Sequence, residues 1–150
     1  MPGDRSPLRT TERQRCRLGV TSLAGIARCI DHATLPQSFE RLLGLFDRLD
    51  ELVANDDFRG CRNFASDVAL EDPDHPAHAE TEGFRRRLRE RLMRELEAMD
   101  HADPERAADQ LHLLIEGTLV MGATQDDRHP ARAARDMAAL ILGRGGAPWR

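Results

Sequence analysis

The chain has no lysine and no tyrosine, and all 22 of its basic residues are arginine. The missing lysine reflects composition and carries no chemical meaning. Cysteine is scarce. Cys16, Cys29 and Cys61 make an odd set with no CxxC pair. That argues against a disulfide framework and against a cysteine-built zinc site, and it fits a reduced, cytoplasmic protein. No apolar run approaches the roughly 20 residues that a membrane span needs. Met1-Pro2-Gly3-Asp4-Arg5 has no apolar core behind it, so no signal peptide is expected. No strand-like alternation occurs, which leaves an all-α class. No nucleophile elbow, phosphate loop or HExxH is present, and no general acid, base and nucleophile converge. No catalytic residue, metal or cofactor is therefore expected, and the enzyme reading is the weakest.

What is present is an ordinary globular composition. The 150 residues are 40% hydrophobic and 32% charged, enough for one domain with a real core. The net charge of −4 is uneven. Residues 1–35 carry six arginines against Asp4, Glu12 and Asp31, whereas residues 36–150 carry sixteen against 23 acids. The larger part is acidic and is not by itself a nucleic-acid binder. Residues 1–36 form a basic, poorly ordered head. Within it, residues 21–30 have helical spacing at Leu23, Ile26, Ala27 and Ile30.

The stretch that organises the rest is Phe58–His78. Cys61, Phe64, Ala65, Val68 and Ala69 recur at helical spacing, Asp72-Pro73 stops that helix, and Asp74 or His75 caps the next one with Pro76 in its first turn. Before it, Ser38 caps a helix to about Ala54 with Phe39, Leu42, Leu43, Phe46, Leu49, Leu52 and Val53 on one face. After it, a long helix runs to about Met99 with Ala77, Thr81, Phe84, Leu88, Leu92, Leu96 and Met99 inward. Its arginines Arg85, Arg86, Arg87, Arg89, Arg91 and Arg94 read as a solvated face with Glu–Arg pairs. Asp103-Pro104 opens a helix over 104–123 whose apolar positions cover more than half its circumference, which predicts contacts on two sides. Pro130 opens a last helix to about Leu142. Residues 144–150, with Trp149, form a loose tail. The expected architecture is an all-α bundle of about five main helices.

Three features invite a chemical reading. Asp72, Asp74, His75 and His78 have metal-ligand side chains, but Asp beside Pro and Asp ahead of a helix are turn and cap residues. Cys61 reads as a buried structural thiol. Glu116 sits at the edge of its helix's apolar sector and reads as a solvated acid.

Residues from about Phe39 to Leu142 resemble the C-terminal, effector-sensing domain of TetR-type transcriptional regulators. The carriers are FERLLGLFDRL at 39–49, FRGCRNFASDVALEDPDHPAHAE at 58–80, ADPERAADQLHLLIEGTLV at 102–120 and PARAARDMAALIL at 130–142. The resemblance implies a ligand-binding and dimerisation domain over 37–143, with a cavity for a small apolar or aromatic effector. Its expected liners are Phe46, Phe58, Cys61, Phe64, Phe84, Leu88, Leu114 and Thr118. It also implies a homodimer in which the last two helices pair across a twofold axis. The expected interface residues are Ala107, Leu111, Ile115, Leu119, Ala134, Met137 and Ile141.

The N-terminus departs from the family. Residues 21–28 resemble the first helix of a helix-turn-helix and residues 32–35 a fragment of a recognition helix. The turn between them is shortened, and Pro36-Gln37 stands where an aromatic segment and a linker helix are expected. The expected DNA-reading unit is therefore truncated or degenerate, and DNA is a partner only where that unit is complete. A second expectation is an interaction protein that forms mixed dimers with a full-length related regulator. A third is a small helical enzyme using the histidines.

Overall fold

A computed structural model of the chain describes residues 37–61, 69–124 and 129–143. Among these residues the fold is all-helical, with four helices and no strand. They are α1 (Ser38–Val53), α2 (Pro76–Ala98), α3 (Pro104–Thr124) and α4 (Pro130–Gly143). None is long and apolar enough to cross a membrane. The basic head, the tail, Phe64 and most of the helix expected over 58–69 lie outside the described residues. Phe58–Cys61, expected to begin that helix, is not helical. Gly60 there holds φ +87°, a left-handed value that a helix excludes.

Local chemistry sets each boundary. Gln37, rather than Ser38, is the N-cap of α1 and offers no side-chain bond. The Ser38 hydroxyl instead accepts a bond from Arg41 Nη2 at 2.9 Å. His75 caps α2, its Nδ1 accepting from the Ala77 N–H at 3.2 Å, with Pro76 in the first turn. At the other end Asp100 takes φ +53° while His101 N–H reaches back to the Leu96 carbonyl at 3.0 Å. That left-handed residue satisfies a carbonyl the helix would otherwise leave bare. Asp103 caps α3, its Oδ1 accepting from Arg106 N–H at 3.2 Å.

α1 packs against α2, α3 and α4, and α3 packs in turn against α2 and α4. α1 and α3 thus form the central pair, flanked by α2 on one side and α4 on the other. The core joins Leu42, Phe46 and Leu49 of α1, Leu88, Leu92 and Leu96 of α2, Leu111, Ile115 and Leu119 of α3, and Ala131, Ala134, Ala138 and Leu142 of α4. α3 and α4 form an antiparallel hairpin. His101, just ahead of α3, donates from Nε2 to the Ile141 carbonyl near the end of α4 at 3.0 Å, and its Nδ1 accepts from Asp103 N–H at 3.1 Å.

At its far end α3 comes close to α1. A Cβ added at Gly122 would stand 2.5 Å from Val53 Cγ1 and 2.7 Å from Val53 Cβ. A rotamer change moves Cγ1 but not Cβ, so the backbone has to give. Overpacking of this kind costs about 1–3 kcal/mol, more than the ~1 kcal/mol that alanine gains over glycine in a helix. Gly122→Ala is accordingly expected to lower the urea midpoint. A midpoint raised above wild type would show that the two helices have slack there.

Candidate functional site

The described residues expected to line an effector site belong to one apolar core but are spread along it, Leu88 beside the first half of α3 and Phe58 at its far end. Phe46 is 1% exposed on α1, Leu88 0% on α2 and Thr118 2% on α3, with Phe58 and Cys61 buried in the segment that follows α1. Phe84 and Leu114 are partly buried and pack against the same core. The Thr118 hydroxyl donates to the Leu114 carbonyl at 2.7 Å, so its proton is already used within the helix. The set is therefore almost wholly apolar, and Cys61 is a buried free thiol.

Beside it, α2 and α3 share a polar cluster. Glu116 Oε1 accepts from Arg85 Nε at 2.9 Å and from His112 Nε2 at 3.2 Å. Glu116 is not the solvated acid the sequence suggested. The i, i+4 placement of His112 was a visible signal for this, whereas Arg85 lies 31 residues away on another helix. Burial by itself pushes the carboxyl up, but the bonds from His112 and Arg85 outweigh it and hold Glu116 below the usual carboxylate range. A depressed folded value means stabilisation that is complete above the unfolded carboxylate pKa. It is lost as pH falls through the folded value. The stability advantage of wild type over Glu116→Gln should therefore be largest near neutral pH and vanish in acid. Denaturant midpoints from pH 7 down to pH 3 check this, and a difference that stays constant would contradict it.

The Asp72–His78 corner is a turn that satisfies itself. Asp72 Oδ1 accepts from Asp74 N–H at 3.0 Å, and His78 Nε2 donates to the Asp72 carbonyl at 3.0 Å. Among the described residues no three His, Cys, Asp or Glu side chains are grouped to hold a metal.

The expected interface residues separate into two sets. Ala107, Leu111, Ile115, Leu119 and Ala134 are between 0% and 6% exposed and belong to the core of the single chain. All five are buried within the single chain, so none offers a free face to a partner. Ile141 is partly buried, and only Met137, 45% exposed, points outward. Among the described residues, the large apolar ones that are exposed are Leu113, Val120 and Met121 of α3, and Met137 and Leu140 of α4. Leu113, Gly117, Val120 and Met121 follow i, i+4, i+7, i+8 spacing, and Ala133, Met137 and Leu140 follow i, i+4, i+7, so each set forms one stripe.

Ion pairs orient those stripes. On α3 the side facing α2 carries Asp109 and Glu116, paired to Arg89 at 2.6 Å and Arg85 at 2.9 Å. On α4 the side facing α1 carries Arg132 and Arg135, paired to Asp50 at 3.1 Å and Asp47 at 2.6 Å. At 3.6 residues per turn, the α4 stripe lies away from its pairs, whereas on α3 Leu113 and Val120 each follow a paired acid by one turn, on the flank toward α2, and Met121 lies on the other side. Both helices of the hairpin thus expose large apolar residues. A Cβ at Gly117, within the α3 stripe, would meet nothing within 4 Å.

Comparison of the chain with protein-family models, with curated proteins and with solved structures finds no match.

Proposed function

We propose that residues 37–143 are the effector-sensing, dimerising part of a TetR-type transcriptional regulator. The observation that carries this reading is the exposure of large apolar residues on both helices of the α3–α4 hairpin. The exposed large hydrophobic residues of the described chain, Leu113, Val120, Met121, Met137 and Leu140, all lie on its two helices. Two such hairpins meeting about a twofold axis cover each other's stripe with the same patch on both copies. The exposed Gly117 and Ala133 allow the two backbones to approach closely. The second element of the proposal is a small apolar or aromatic effector held near Phe46, Phe58, Cys61, Leu88 and Thr118. An apolar ligand suits a centre whose few polar atoms are already bonded.

The proposal gives DNA reading to no described helix. The arginines of residues 1–35 would add only weak, salt-sensitive and sequence-independent attraction. Light scattering across a concentration series tests the dimer. A dimer mass that falls toward the monomer on dilution is the expected result, and a monomer at every concentration overturns it. DNA binding at two salt concentrations tests the rest. Tight binding to one palindrome that survives physiological salt would show that this chain reads DNA unaided.

A further inference from the structure

We propose that Met121 and Met137 form a peroxide-sensitive modification site, at which oxidation of the thioethers to sulfoxides keeps two hairpins apart. This rests on the dimer reading above and adds a chemical control to it. Four of the chain's five methionines lie among the described residues. Met93 and Met99 are partly buried and pack against the core. Met121, 39% exposed, and Met137, 45% exposed, stand one on each helix of the hairpin. Met121 follows Gly117 by one turn and Met137 follows Ala133 by one turn, and both of these small residues are exposed. An unbranched thioether beside so small a neighbour can adapt its shape to a partner's surface. The same exposure leaves both side chains open to an oxidant in the single chain.

Among the described residues the competing sulfur is withdrawn, since Cys61 is 7% exposed and belongs to the core. Hydrogen peroxide gives one oxygen to a thioether. A sulfur lone pair forms the S–O bond, the O–O bond breaks and water leaves, so the sulfur loses two electrons and the peroxide gains them. The product is polar, and its oxygen accepts hydrogen bonds. In the single chain water satisfies that oxygen. In a contact between two hairpins the stripes offer it no donor side chain, because Leu113, Gly117, Val120, Ala133 and Leu140 carry none. Pairing would therefore strip the sulfoxide of water without replacing the lost bond. A twofold axis repeats the patch, so each oxidised position counts twice in a dimer. Methionine sulfoxide reductases return the thioether, which makes the modification reversible.

The probe is hydrogen peroxide on the full chain. Peptide mass spectrometry locates each sulfoxide, and light scattering over a dilution series reads association. Oxidation at Met121 and Met137 ahead of Met93 and Met99 is expected, with circular dichroism unchanged and the dimer dissociation constant raised about 10-fold. Methionine sulfoxide reductases are expected to restore it, whereas dithiothreitol, which reverses disulfides, leaves it raised. Met121→Leu combined with Met137→Leu keeps an apolar surface of similar volume. That variant is expected to associate like wild type both before and after peroxide. Sulfoxides at both positions with association unchanged overturn the proposal. So does a peroxide effect that the double variant retains, that dithiothreitol alone removes, or that comes with loss of the helical signal. A chain monomeric at every concentration before any peroxide overturns the dimer reading and this control together, and the untreated series tells that failure from the others.

Discussion

Leu88→Ala is expected to lower the free energy of unfolding by about 2–5 kcal/mol. Leu88 is 0% exposed on α2, one turn before Leu92 and two before Leu96, both also 0% exposed. The side chain lies in the core that α2 shares with the other helices, so truncation leaves a buried void. Those helices are also pinned to one another by ion pairs and cannot simply close in. A domain of this size holds about 5–15 kcal/mol in all, so one methyl-bearing side chain accounts for a large share of it. The measurement is the urea midpoint, with the slope unchanged so that the shift reports stability alone. Arg86→Ala is the control. Arg86 sits on the exposed face of the same helix and reaches Glu90 only at 4.0 Å, and an exposed pair of this kind contributes about 0–1 kcal/mol. Equal midpoints for the two variants would mean that α2 does not present Leu88 inward.

The second large effect separates two neighbours on α3. Ile115→Glu should prevent the chain from folding, whereas Leu113→Glu should leave the fold intact and dissociate the proposed dimer. Ile115 is 0% exposed and Leu113 is 73% exposed. A carboxylate at 115 would be buried in the apolar core, at a cost of several kcal/mol. At 113 the same carboxylate is solvated in the monomer and is desolvated only when a second copy covers it. Circular dichroism reads the first outcome and light scattering the second. If Ile115→Glu instead yields a folded monomer, residues 111, 115 and 119 face a partner and the core described here is incomplete.

These two positions also show where sequence patterning stops being informative. The 3.6-residue period located α1 to α4 closely, since Pro76, Pro104 and Pro130 open helices in the chain as they do on paper. The period also identified Leu88, Leu92 and Leu96 as one inward line. On α3 it failed to divide inside from outside. That helix touches α1, α2 and α4, so Ala107, Leu111, Ile115 and Leu119 are all consumed within the chain. A broad apolar sector looks the same whether its surplus meets another helix of the same chain or a second copy. The surplus here is the neighbouring stripe at 113, 117, 120 and 121. Only a three-dimensional arrangement distinguishes the two. Glu116 shows the same limit in polar form, because its partner Arg85 is adjacent in space and remote in sequence. What the pattern made legible at the expected liners is burial, since Phe46, Phe58, Cys61 and Leu88 share one core.

The ion pairs that join the helices have a consequence for behaviour in salt. Arg41 holds Glu95 at 2.8 Å between α1 and α2, Arg85 and Arg89 tie α2 to α3, and Arg132 and Arg135 tie α4 to α1. None of these pairs spans the seam between α3 and α4, where apolar side chains and the His101–Ile141 bond meet. Screening by a simple salt weakens exposed charge pairs and leaves apolar contacts untouched. Excluded salts such as sulfate strengthen apolar burial. Ionic strength therefore acts as a selective loosener: amide exchange should quicken along the edges of α1 and α2 while the hairpin stays protected. In sulfate the hairpin faces of separate molecules should be drawn together even as the charged edges lose their grip.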